Sequence, residues 1–114
     1  MPRAVTHVDT LQEYIQGVIE KSEHHAKGVD LAALALVGMI VWRKDPDREL
    51  EVMERDGEMT NVLWVWINGS RYALSYAHEL GVIQIRGKTL RGESLMDFDN
   101  DTPVAEIKRF FAKL

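Results

Sequence analysis

The stretch "NVLWVWINGSRYALSY", Asn61 to Tyr76, narrows the folds open to this chain more than any other. Asn-Gly between runs of alternating apolar residues is the strongest short-range signal for a β-hairpin, because a type I′ turn needs φ > 0 at both central positions. A two-residue loop at Asn68 and Gly69 fixes the register. Ile67 then faces Ser70, Trp66 faces Arg71, Val65 faces Tyr72, Trp64 faces Ala73 and Leu63 faces Leu74. Side chains alternate across a strand, so two unlike faces follow. Leu63, Val65, Ile67, Tyr72, Leu74 and Tyr76 make a side apolar enough to receive helices. Val62, Trp64, Trp66, Arg71, Ala73 and Ser75 make the other. Arg71 opposite Trp66 suits a cation–π contact.

Strands surround this hairpin. "ELEVMER" alternates Leu50 and Val52 against Glu49 and Glu51, and "RDGEM" reads as a turn into the hairpin. "HELG" then leads into the strand "VIQIRG", and "SLMDF" follows as a shorter one. Short loops between regularly spaced strands point to antiparallel pairing. The ends of the chain read as helix. From about Asp9 to Ala26, Leu11, Tyr14, Ile15, Val18, Ile19, Ser22 and Ala26 recur at helical spacing, with Thr10 and Glu13 as a capping box. Gly17 in mid-helix suggests close approach of another backbone, and Gly28 a stop. Near the C-terminus, Thr102 reads as N-cap and Pro103 as the first helical residue. Val104, Ile107, Phe111 and Leu114 form one stripe there, and Lys108, Arg109 and Lys113 gather toward the end, where cations complement the helix dipole.

"LAALALVGMIVW", Leu31 to Trp42, is apolar on every side. Its 12 residues are too few to cross a bilayer, which takes about 20. It reads as buried core: a short helix from about Asp30 to Met39, then extended chain from Ile40 to Arg43, with "KDPD" forcing a turn. The expectation is a single α+β domain over residues 1–114, an antiparallel β-meander of about four to six strands with N-terminal and C-terminal helices packed on one face.

Composition limits function. The chain has 114 residues and no cysteine, which excludes disulfides and thiolate metal sites and fits a reducing, cytoplasmic setting. "MPRAVTHVDT" has no apolar signal segment. A net charge of -4 repels phosphate backbones, so nucleic acid is not expected as a partner, and with no apolar run long enough to span a bilayer neither is a membrane. The local basic cluster Arg86, Lys88 and Arg91 reads as a solvated turn.

Four constellations invite chemistry, and each has a plainer reading. Glu20 and His24 are i, i+4, with Glu23 and His25 beside them, but a metal site needs three or four ligands, and His7 and His78 are remote in sequence. A solvated helix end is the simpler account, so no metal is assigned. Asp97, Asp99 and Asp101 begin like a calcium loop, which then fails: Thr102 stands where Gly is needed and Lys108 where Glu is needed. An Asx-rich turn feeding the last helix suffices. Ser75 and His78 have no orienting third group and no nucleophile-elbow motif. No spacing singles out a carboxylate pair. Catalytic residues and cofactors are therefore not assigned. The surface worth naming is Trp64, Trp66, Arg71 and Ser75, a ligand or interface site with three readings: a half-solvated face on which Arg71 shields Trp66 and a loop covers Trp64, a homodimer contact, since Trp and Arg are enriched at interfaces, or a cleft for an acidic or aromatic small molecule.

"NVLWVWINGSRYALSYAHE" and "LMDFDNDTPVAEIKRFF" resemble small proteins of unknown function encoded in bacterial integron gene cassettes. The similarity runs from about Val41 to the C-terminus. It implies a compact α+β fold in a mobile-element context and brings no catalytic residues with it. The functional expectation is a non-enzymatic binding or interaction module, with a small-molecule binder or enzyme as the alternative. Binding of a toxin–antitoxin or regulatory partner fits a cassette origin but has no residue behind it.

Overall fold

A computed structural model describes residues 8–22, 28–55, 58–87 and 92–114. Within them, helix α1 spans Val8–Ser22 and α2 spans Asp30–Arg43. Five strands follow, β1 Glu51–Arg55, β2 Glu58–Ile67, β3 Ser70–Ala77, β4 Val82–Gly87 and β5 Met96–Phe98, and then α3, Val104–Ala112. The strands lie in one antiparallel sheet in chain order, β1-β2-β3-β4-β5. This is the expected α+β meander. No helix among the described residues is long and apolar enough to cross a membrane.

The hairpin register is the expected one, from Ile67 opposite Ser70 back to Leu63 opposite Leu74. Asn68 and Gly69 both take positive φ, 51° and 80°. The sequence accounts for the turn itself but not for what holds it. The Asp45 carboxylate accepts the amide N–H of Asn68 at 2.7 Å and that of Gly69 at 2.9 Å. Asp45 N–H donates in turn to the Trp66 carbonyl at 2.8 Å. The "KDPD" turn after α2 thus clasps the hairpin tip.

Leu63, Val65 and Ile67 of β2, Leu74 and Tyr76 of β3, Ile83 and Ile85 of β4 and Phe98 of β5 point to one side of the sheet. They form the core with Leu11, Tyr14 and Val18 of α1, Ala33, Leu36 and Ile40 of α2, and Ile107 and Phe111 of α3. The three helices therefore cover a single sheet face. Burial pushes the Tyr14 phenol well above its usual range, and its hydroxyl reaches the Leu74 carbonyl at 3.5 Å.

Several boundaries differ from expectation. α2 runs unbroken through Arg43, so Ile40 to Arg43 is helix rather than extended chain. β-branched Ile40 and Val41 are helical because Ile40 is sealed in the core and Arg43 bridges to α3, donating to the Phe111 carbonyl at 3.0 Å. Tertiary packing overrides local propensity there. In α3, Pro103 is the N-cap, one residue later than expected, because the Thr102 hydroxyl turns back to accept the Asp99 N–H at 3.0 Å. Val104 is exposed and lies outside the buried stripe. A Cβ on Gly17 would meet nothing within 4 Å, so among the described residues no backbone packs against it. A Cβ on Gly28 would come within 2.9 Å of the Asn100 amide nitrogen. Gly28 makes room for the loop before α3. The helix α1 is described only to Ser22, and the histidine-bearing stretch after it (Glu23, His24, His25, Ala26) lies outside the described residues. His7, the middle of the "RDGEM" turn, Lys88 and Arg91 lie outside them as well.

Candidate functional site: two faces left uncovered by the fold

The domain packs its helices on one side of its sheet and leaves two surfaces outward: the far side of the sheet and the far side of the helix layer.

The far side of the sheet carries the expected site residues. Across it run two rows, Glu51–Trp64–Ala73–Arg86 and Val62–Ser75–Gln84–Asp97. Trp64, Trp66, Arg71 and Ser75 are together on this face and are all half-buried. The stacking differs from the expected pairing, however. The Arg71 guanidinium lies 4.0 Å from the ring centre of Trp64, not over its cross-strand partner Trp66. Ala73, opposite Trp64, is too small to fill the space above it, and Glu51 on β1 draws the guanidinium the same way with an ion pair of 3.6 Å. Trp66 is covered instead by Arg48, from the segment before β1, at 4.2 Å. Each indole thus carries a cation from its own chain. Arg71 lies flat enough that its Nε is buried without a hydrogen-bond partner.

Between these groups the floor is closed. Ala73 is 0% exposed. Arg86 donates to Ser75 Oγ at 3.4 Å, to Gln84 Oε1 at 2.7 Å and to the Gly92 carbonyl at 2.9 Å. Asp97 accepts from the Ser94 hydroxyl at 2.6 Å and from the Gln84 amide at 3.3 Å. Ser75 is thereby tied to Arg86, while the His78 ring packs edge-on against Tyr76, 6.0 Å between centres. The structure does not bring Ser75 and His78 together as nucleophile and base.

The Asp97, Asp99 and Asp101 run is not drawn to one point either. Asp99 Oδ1 accepts the Asp101 N–H at 2.8 Å, closing an Asx turn, while Asp97 faces the outer side of the sheet. The structural work of this loop falls to Asn100, which the sequence reading did not single out. Its Oδ1 accepts the N–H groups of Leu31 at 2.9 Å and Ala32 at 3.1 Å, and its Nδ2 donates to Asp30 at 2.8 Å. These are the donors that an N-cap side chain would satisfy, and Val29, the residue at the cap, makes no such bond. That amide bond holds the Asp30 carboxyl below its usual range. Among the described residues, no group of three or more His, Asp or Glu side chains is placed to hold a metal ion.

The far side of the helix layer overturns an expectation. The run Leu31–Trp42 is not buried all round. Ala32, Ala33, Leu36 and Ile40 face the core, but Leu31, Leu34, Val41 and Trp42 are 62%, 54%, 61% and 51% exposed. At positions i, i+3, i+10 and i+11 these four share the outer stripe of α2, with Gly38 between them. A Cβ on Gly38 would meet nothing within 4 Å. Beside Leu34 a groove of about 120 Å³ opens between α1 and α2, lined by Val8, Leu11, Gln12, Ile15, Leu34 and Val37. The signal was present in the sequence, since an apolar helix with no polar side has two apolar faces and a three-helix layer can bury only one of them.

No curated protein matches the chain. The two faces belong to a fold that extends well beyond the region of resemblance in the sequence, since a family match begins at residue 11, in α1, and continues to residue 108, in α3. That match, to the family described as integron cassette protein VCH_CASS1, covers most of the chain and shows that the protein belongs to it.

Proposed function

We propose that this protein is a non-enzymatic interaction module whose contact surface is the outer stripe of α2. The observation that carries the reading is the exposure, by half or more, of Leu31, Leu34, Val41 and Trp42 on one side of one helix. Contiguous exposed apolar surface of this kind marks interaction sites, and a tryptophan at its edge is the residue type most enriched among binding hot spots.

The alternative, a cleft for an acidic or aromatic small molecule around Trp64, Trp66 and Arg71, has weaker support. Both indoles already stack with arginines of the chain, and the floor at Ala73 is covered. The same cover argues against the sheet face as the main protein contact. The side chains that suggested chemistry are spent on local structure: Ser75 on Arg86, Asp97 on Ser94 and Gln84, Asp99 on the Asx turn.

The test is a double substitution, Leu34→Lys with Val41→Lys. Both side chains stand outside the core, so the melting temperature is expected to stay within about 3 °C, as for surface changes of a few tenths of a kcal/mol. Binding of a hydrophobic dye to the native protein is expected to fall several-fold. A double variant that unfolds would mean that the domain itself covers this stripe, and the reading would be lost.

A further inference from the structure

The occupant of the α2 stripe can be argued from the stripe itself. We infer that it is a second copy of the chain, packed through α2 in an antiparallel, two-fold pair that crosses at Gly38. This rests on the reading of the stripe as a contact surface.

The first argument is shape. Trp42 projects four residues after Gly38, and Leu34, at the lip of the α1–α2 groove, lies four residues before it. Four residues are about 6 Å along a helix axis. A two-fold axis through Gly38 exchanges the two positions. Trp42 of each copy then meets Leu34 and the Val8, Ile15 and Val37 groove of the other. Projection and recess are thus present on one surface at equal distances from a common centre, which is what an isologous interface needs and what a one-sided docking site for an unlike partner does not.

The second argument is close approach. Gly38 costs its own helix about 1 kcal/mol relative to Ala. Nothing within the described chain occupies the space its missing side chain leaves. At a helix crossing that space lets two backbones come together, as small residues do elsewhere. The third is charge. No side chain from Leu31 to Trp42 is charged, and the guanidinium beside the stripe, Arg43 at 5.5 Å from the Trp42 ring centre, keeps its bond to the Phe111 carbonyl at 3.0 Å. Antiparallel alignment also opposes the two helix dipoles.

Sedimentation of the parent chain and of Gly38→Leu and Trp42→Ala tests this. Trp42 accessibility to a neutral quencher is followed in parallel in a Trp64→Phe/Trp66→Phe background. The parent is expected to be a dimer. Trp42→Ala should weaken it roughly 30-fold or more, the scale of truncating a hot-spot tryptophan. Gly38→Leu should give monomers that melt no lower than the parent at the dilution where the parent dissociates, because the new side chain meets nothing in the monomer. A merely structural glycine would not separate these two readouts. A chain that stays monomeric at millimolar concentration with Trp42 open to quencher would overturn the dimer and leave the contact surface standing. Trp42 closed to quencher in a monomer would sink both. A dimer indifferent to Gly38→Leu and Trp42→Ala would also overturn the pairing.

Discussion

The outer side of α2 and the outer side of the sheet were both left open by the same packing decision, one helix layer on one sheet face, and they were finished differently. On the sheet, each half-buried indole is covered by an arginine of the same chain, and Arg86, Ser75, Gln84, Asp97 and Ser94 form a continuous set of hydrogen bonds. On α2, Leu31, Leu34 and Val41 meet water with no polar side chain of the stripe over them, and Trp42, with the Arg43 guanidinium 5.5 Å from its ring centre, stays 51% exposed. Long charged side chains can shield apolar surface by lying along it while their heads stay wet. The sheet face uses that device at both indoles, at 4.2 and 4.0 Å; the helix face has it only at Trp42, more loosely at 5.5 Å. Aromatic content alone is therefore a poor guide to a binding surface. What distinguishes the two faces is whether the surrounding residues of the chain already satisfy the apolar groups.

Four substitutions sharpen the contrast. The largest effect is expected within α2 itself. Leu36→Ala removes a side chain 2% exposed in the core and should cost about 3 kcal/mol in chemical denaturation. Leu34→Ala, two residues away and 54% exposed, should cost the monomer less than about 0.5 kcal/mol. Equal losses would mean that the two sides of the helix are not different. Next is Asn100→Ala, which removes the trans cap of α2 and should cost about 1–2 kcal/mol at neutral pH. Its pH dependence has a definite sign. Asn100 holds the Asp30 carboxyl low, so that contribution is present above the ordinary Asp range and is lost as pH falls through the folded pKa. The gap between parent and variant should narrow below about pH 4. A gap constant down to pH 2 would show that Asp30 and Asn100 are not linked. Arg71→Ala follows, expected to cost about 0.5–1 kcal/mol through the lost indole contact and to make Trp64 more accessible to quencher. Unchanged Trp64 accessibility would mean that the sheet face is not covered in the way described.

Much of this fold was legible because its signals are local. Asn68-Gly69 fixed a register that the strands then kept through Leu63 and Leu74. Alternation sorted Val65 from Trp66, and 3.6-residue spacing put Leu11, Tyr14 and Val18 in the core. What was not legible depended on contacts between parts remote in sequence. Asp45 reaches across 23 residues to the hairpin amides, and Asn100 across 69 to those of α2. Neither short polar side chain announces its partner. Arg71 chose Trp64 over Trp66 because of Glu51 on a third strand and the small Ala73. The α2 stripe was misread for a different reason. A run that is apolar on all sides says that every side avoids water; it does not say that one domain can shelter them all.

The contrast between the two faces can be put to one measurement, hydroxyl-radical footprinting of the native chain at micromolar and at millimolar concentration. Concentrating the protein is predicted to protect Leu34 and Trp42 and to leave Trp64 and Trp66 unchanged. Protection of Trp64 and Trp66, with Leu34 and Trp42 as reactive as before, would contradict the account.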